Sequence, residues 1–289
     1  MGGAVFIDSQ TPWQPSHEAA DSLVRLADGG TAEVYAWGVG RVLKLFHRDF
    51  PPACIALELK NARSAHDLGI PTPCTDGHVE WDQRIGIIFE RVDGPTVYEL
   101  IQTGAQARSL MGRLFFDVQQ TIHRCELEEL LPLQGVMAQQ IRLAGWLPQT
   151  LRYEAIEALQ RAPLVNTVCH VDFHPLNVIM GASGPRVIDW LSMNRGDPAM
   201  DVVRTLLLLR HFRYHRQSKN YRQIDNASRM EFLNAYLQRC REVWYGRMEQ
   251  LAHWQRPIAV WRLAHENVTD DERAELLDLL EAPHSNWFG

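Results

Sequence analysis

Between Ser22 and Phe46, apolar and polar residues alternate in short runs broken by Gly29-Gly30 and by Gly38-Val39-Gly40. Such runs between glycine turns predict a meander of antiparallel strands, here "LVRLA", "AEVYAW" and "RVLKLF". After Pro51-Pro52 the spacing lengthens. In "ACIALELKNARSAHDLG" apolar residues recur at helical intervals as far as Gly69, with the prolines placed where a helix begins. The segment "IPTP" ends that helix, "HVEW" and "IGIIFERV" predict two further strands, and Asp93-Gly94-Pro95 breaks the pattern. Beyond Pro95 the period is mostly helical, with candidate helices at 96–103, 106–125, 136–161, 198–213, 227–250 and 256–266. One strand-like stretch, "CHVDFHPLNVIMGASGPRVIDW", interrupts them, and the polar run from Arg213 to Ser228 predicts an exposed loop. The expected fold is α+β and two-lobed: a small antiparallel sheet with one helix at 1–92, a connector near 90–95, and a mainly helical lobe at 93–289.

Composition narrows the partners. With 289 residues, 46% of them hydrophobic, the chain has ample material for real cores. A formal net charge of -6 argues against a nucleic-acid partner, which usually leaves a basic stripe. The five cysteines are odd in number and form no C-x-x-C pair, so reduced thiols are expected rather than a disulfide framework or a zinc ribbon. "MGGAVFIDSQTPW" does not read as a secretory signal, and the most apolar run, "TLLLL", is far short of the roughly 20 residues of a membrane span. A cytoplasmic protein with no membrane partner is the expectation.

The chemistry gathers in the strand-like stretch. Asp172 and Asn177 stand five residues apart, and His170 precedes them, which matches the H-x-D-x-x-x-x-N spacing of phosphoryl-transfer loops. In that reading the aspartate meets a hydroxyl nucleophile and the asparagine ligates Mg2+; both must come from one rigid loop, because the hydroxyl must lie in line with the phosphate that the metal neutralises. Asp189 follows the strand-like "RVI", 17 residues after Asp172, and supplies a second metal carboxylate. A rival reading takes His170, Asp172 and His174 as a transition-metal site on one strand face, and leaves Asn177 and Asp189 unexplained.

Further upstream, Lys44 ends the alternating "RVLK", and Glu58 is the only glutamate between residues 45 and 79. A strand lysine that pairs with the α- and β-phosphates of ATP or GTP, held by a glutamate on the next helix, is the expected nucleotide site. Taken alone, the two would read as a solvated lysine and a surface glutamate. Gly29, Gly30 and Thr31 lie between the first two strands, where backbone amides can approach phosphate oxygens, although paired glycines also serve simple hairpin turns. Backbone groups of Glu90 to Val92 in the connector are the expected readers of the adenine.

Taken together, "HVDFHPLNVIM", "VIDW", "GDPAMDVVRTL" and "LELKNARSAHDLGIPTP" resemble the aminoglycoside phosphotransferase and choline kinase family, over roughly residues 22–212. The resemblance implies a bilobal protein-kinase-like fold and Mg2+-dependent transfer from ATP or GTP. By it Asp172 is the catalytic base, Asn177 and Asp189 are the magnesium ligands, Lys44 is the phosphate lysine and Glu58 its partner. His170 becomes a loop-stabilising residue, and Asp201 braces the catalytic loop from the start of a core helix; a plain helix N-cap or first-turn acid is equally compatible there. Val171 and Phe173 stand where the family often shows glycine and leucine.

The expected acceptor is a hydroxyl of a small molecule, an aminoglycoside or other antibiotic first, hence an antibiotic-resistance enzyme; choline, a sugar, an amino acid or a nucleoside are alternatives. Acids at Asp270, Asp271, Glu272, Glu275 and Glu281, and tryptophans at Trp244, Trp254, Trp261 and Trp287, offer a cationic acceptor something to bind. The stronger reading makes the acids a solvated helix face and the tryptophans core. Only 11 residues separate Asp189 from Asp201, too few for a protein kinase's activation segment. A nucleotide-binding pseudokinase scaffold is the alternative outside catalysis, and a monomer or homodimer is expected.

Overall fold

The computed structural model describes residues 5–6, 23–211, 224–265 and 268–281. They form an antiparallel sheet followed mainly by helices. Six strands pair in the order β1-β5-β6-β4-β3-β2: β1 (Val5–Phe6), β2 (Arg25–Asp28), β3 (Ala32–Ala36), β4 (Arg41–Phe46), β5 (Thr75–Trp81) and β6 (Arg84–Glu90). Five of these were legible as strands. The sixth, β1, pairs its two residues with β5 and is too short to leave a periodicity.

The single helix of this region, α1 (Pro52–Asp67), starts with Pro52 and is followed by Gly69 at φ +75°. Its buried residues Ile55, Leu59, Ala62 and Ala65 lie on one stripe. Ile55 and Leu59 pack with Phe46, Ala32 and Ile87 in one apolar cluster, while Leu43, Leu45, Trp37, Val79 and Ile88 form another. Alternation along β4 thus sends Leu43 and Leu45 to one face, and Phe46, with Lys44 in phase, to the face under α1.

The later elements are α2 (Val97–Ile101), α3 (Ala105–Ile122), α4 (Leu133–Leu143), α5 (Gln149–Arg161), β7 (Val168–Cys169), β8 (Val178–Gly181), β9 (Gly184–Val187), β10 (Asn194–Arg195), α6 (Pro198–His211), α7 (Asn226–Val243), α8 (Met248–Leu263) and α9 (Asp270–Glu281). The expected helix at 136–161 is two helices, because Gly145 and Pro148 interrupt it. Those expected at 227–250 and 256–266 exchange residues. Gly246, at φ +79°, ends the first early, and α8 runs straight through Pro257 because Leu251, Trp254 and Ile258 bury a continuous stripe. Of the expected loop at 213–228, the last residues open α7 under the Asp225 cap, and 213–223 lie outside the described residues.

The chain divides into two compact units. One holds the chain up to Tyr98 together with Leu176–Ser192, and so includes the β8–β9 hairpin; the other holds Glu99–Pro175, α6 and the helices after it. The second is built around stacked Phe115 and Phe173, their centroids 4.2 Å apart, with Phe232 and Tyr236 tilted against Phe115. No helix among the described residues is long and apolar enough to cross a membrane.

Candidate active site

In the first unit, the phase of β4 aims Lys44 at α1, where Glu58 is 1% exposed. Lys44 Nζ donates to Glu58 Oε1 at 2.5 Å and lies 3.3 Å from Asp189 Oδ1. Burial works against the ammonium charge, but the carboxylates of Asp189 and Glu58 outweigh it and hold the Lys44 pKa above its ordinary value. A permanent cation therefore sits between two acids.

Asp189 arrives there by way of the β8–β9 hairpin. Val178 pairs with Val187 and Ile188 N–H donates to the Asn177 carbonyl at 2.9 Å, so Asn177 and Asp189 flank the hairpin's open end. An amide and a carboxylate are hard oxygen donors that fit magnesium. Asp189 has φ +69°, a left-handed conformation rare for a side-chain-bearing residue. Its neighbour holds it there. Trp190, fully buried, donates from Nε1 to Thr72 at 2.9 Å and accepts at its carbonyl from Asn61 Nδ2 at 2.9 Å. Asn61 stands three residues after Glu58, on the same face of α1. Asn61, Thr72 and Trp190 were not singled out from the sequence; a polar residue inside the apolar stripe of α1 was the available signal.

The turn between β2 and β3 carries Gly29, Gly30 and Thr31, as expected. The Gly29 amide is spent on the Ala32 carbonyl at 2.9 Å, and a Cβ at Gly30 would meet nothing within 4 Å. Of the three amides, those of Gly30 and Thr31 are the ones to consider for phosphate. Likewise in the connector, the Glu90 amide donates to Cys74 and the Arg91 amide to Gly40, which leaves Val92 as the candidate donor there.

In the second unit, Asp201 is completely buried. Its carboxylate accepts from the Val171 amide at 2.7 Å, the His170 amide at 3.3 Å, Gln119 Nε2 at 3.0 Å and His123 Nε2 at 2.8 Å. Burial pushes the Asp201 carboxyl up, but these donors, His123 foremost, hold it below its ordinary value. The N-cap of α6 is Asp197 instead, whose Oδ1 accepts from the Ala199 amide at 2.9 Å. Gln119 and His123, at i and i+4 of α3 and its end, were not read from the sequence.

The loop that Asp201 grips carries Asp172. Phe173 is buried on Phe115 and His170 packs edge-on against Phe173, so the loop is anchored on both sides of the aspartate. Val171 is held at φ +70°, where a β-branched residue is strained and where the family often has glycine. Asp172 itself keeps 37% side-chain exposure, with His174 Nε2 3.5 Å from Oδ2. Burial raises the Asp172 carboxyl, yet His174, Arg204 and His170 together pull it well below the carboxylate range, so it stays ionised. The rival metal trio does not converge: among the described residues the only His, Cys and acid cluster of ligand spacing is His123, Cys169 and Asp201.

Expected acceptor groups turn out largely spoken for. Glu272 is gripped by Arg262 at 2.6 and 2.8 Å, Trp254 donates to Asp197 at 2.9 Å, Trp244 donates to Gln120 at 2.8 Å and Trp261 donates to Gln140. Trp287 lies outside the described residues.

Known proteins resemble this chain. The model of the phosphotransferase enzyme family matches residues 22–250. Thiamine kinases of Shigella boydii and Escherichia coli are 32% identical over 120 residues, which span 40% of this chain and 41% of theirs. Among solved structures, aminoglycoside-3'-phosphotransferase of type VIII superposes with a TM-score of 0.60 at 18% identity, over 83% of this chain and 93% of that one. A choline/ethanolamine kinase family protein from Mesorhizobium loti gives 0.55 at 19% identity, over 92% and 90%. These likenesses carry the fold, which is bilobal and protein-kinase-like. With the family model spanning most of its length, the chain belongs to the phosphotransferase enzyme family.

Proposed function

We propose that this protein moves the γ-phosphoryl group of ATP or GTP to a hydroxyl of a small molecule in a magnesium-dependent reaction. The observation that carries the reading is Lys44, held 2.5 Å from Glu58 and 3.3 Å from Asp189 at the open end of a hairpin that also bears Asn177. Lys44 neutralises the α- and β-phosphates while Glu58 fixes its position. Asn177 and Asp189 hold the magnesium ion. When bound, that ion supplies charge neutralisation at the phosphate oxygens. The amides of Gly30 and Thr31 approach the phosphates, and the Val92 amide reads the adenine.

Asp172 orients the acceptor hydroxyl and takes its proton late, as the bond from the hydroxyl oxygen to the γ-phosphorus forms and the bond to the β-phosphate oxygen breaks, releasing the nucleoside diphosphate. Its lowered pKa suits it to orienting and to late acceptance, since a loose transition state needs no strong base. His170 and Asp201 keep the loop in place. The named activities of the relatives, on thiamine and on aminoglycosides, support a small-molecule alcohol acceptor without choosing between metabolism and antibiotic resistance.

Thermal unfolding with ATP and with GTP, each with and without magnesium, tests the reading. A nucleotide at about 100 times its Kd adds about 2.7 kcal/mol, a shift of several degrees. A magnesium-dependent rise is expected and names the donor; no shift with either nucleotide would sink the proposal.

A further inference from the structure

Arg204 lies in α6, one turn beyond Asp201, and so beside the loop that Asp201 holds. It is 8% exposed, and its guanidinium carbon sits 5.1 Å from the centre of the Trp261 ring in α8. Its Nε and Nη1 are buried without a hydrogen-bond partner, and among the described residues no carboxylate pairs with it. The acids whose charge reaches it are Asp172, Glu272 and Asp201, with Arg262 opposing. Two of these acids are fully engaged elsewhere: Glu272 by Arg262 through two hydrogen bonds, Asp201 by four donors. The third, Asp172, has His174 at 3.5 Å. A buried guanidinium that feels the charge of Asp172 but forms no hydrogen bond through Nε or Nη1 is a costly feature in a core. Its planar fork, over the Trp261 ring, has the shape to take two oxygens of an oxyanion.

Resting on the phosphotransferase reading above, we propose that Arg204 binds an anionic group of the acceptor, so that the substrate is a small hydroxyl compound carrying a carboxylate or a phosphate. The hydroxyl meets Asp172 while the oxyanion meets the guanidinium on Trp261. A polycationic acceptor such as an aminoglycoside meets repulsion from Arg204, which turns the expectation drawn from the sequence toward its amino-acid alternative.

The test uses the full chain saturated with magnesium and a non-hydrolysable ATP analogue, at constant ionic strength. Thermal shifts are read on adding malonate, inorganic phosphate or choline, for wild type and for Arg204→Met, which keeps the stem against Trp261. Malonate or phosphate, whichever matches the acceptor's anion, raises the wild-type Tm by several degrees and leaves the variant unmoved, and choline moves neither. In a coupled kinase assay, hydroxy acids or phosphorylated alcohols then serve as acceptors, with kcat/KM reduced at least about 30-fold by Arg204→Met. Failure of both anions to shift wild type, or an equal shift in the variant, overturns the proposal. Without ligand, Arg204→Met matches or exceeds the wild-type Tm because it removes an unpaired buried charge; a variant that fails to fold would show the guanidinium to be held by the protein itself, and overturn it too. Loss of the nucleotide shift alone would instead defeat the phosphotransferase reading, leaving the anion site standing.

Discussion

Asp172 and Asp201 illustrate how differently two acids of one loop region are used. Asp172 keeps its carboxylate partly in solvent, with His174 Nε2 3.5 Å away, whereas Asp201 is completely buried and surrounded by donors. Replacing Asp172 with alanine is therefore expected to lower kcat by roughly 10²–10⁴-fold, and the magnesium-nucleotide thermal shift should persist in that variant. Retention of most of kcat would remove Asp172 from the mechanism. Asp201→Ala acts on stability. It strands four donors and is expected to cost about 3–5 kcal/mol at neutral pH. Because the folded-state pKa of Asp201 is lowered, its contribution is fully present above the unfolded value of about 3.9 and is lost as pH falls below that value through the folded one. Urea unfolding at a series of pH values should show the gap between wild type and Asp201→Ala narrowing below about pH 4; a gap that stays constant down to pH 2 would contradict the assignment.

Pairs of elements decide what these residues can reach. The β8–β9 hairpin turns a separation of 12 positions between Asn177 and Asp189 into adjacency at one end, and the tie from Asn61 to the Trp190 carbonyl fixes that end to α1. In the helical unit, α3 and α7 approach so closely at Gly112 that an added Cβ would lie 2.6 Å from the Phe232 carbonyl and 2.7 Å from the Ala235 Cβ. Gly112→Ala gains helix propensity, about 1 kcal/mol, but must prise apart two packed helices, typically 1–3 kcal/mol. The net expectation is a lower Tm, with Gln119, Asp201 and Tyr236 loosened together. A rise in Tm on differential scanning calorimetry would show that α7 shifts without strain.

For the molecule as a whole, ligand linkage gives the sharpest readout. Asp189→Ala is expected to abolish the magnesium-dependent part of the nucleotide shift, several degrees at saturation, while a smaller magnesium-independent part survives through Lys44. An unchanged magnesium dependence would move the metal away from the hairpin. What the sequence determined by itself was whatever is written in local periodicity or in the spacing of a short loop: the five longer strands, α1 with its proline and glycine ends, and the order Asp172, Asn177, Asp189. The roles proposed for Lys44 and Glu58 were legible only beside the downstream H-x-D-x-x-x-x-N motif, since alone the two read as a solvated lysine and a surface glutamate. Tertiary structure alone decided the rest. The helix ends near Gly145 and Gly246 had a glycine signal in the sequence, whereas the passage of α8 through Pro257 follows from which apolar stripe finds a core, which local propensity does not encode. Arg204 drew no notice in the sequence, one arginine among many in the chain; only burial without a hydrogen-bonded partner sets it apart, and burial is a property of the packed molecule.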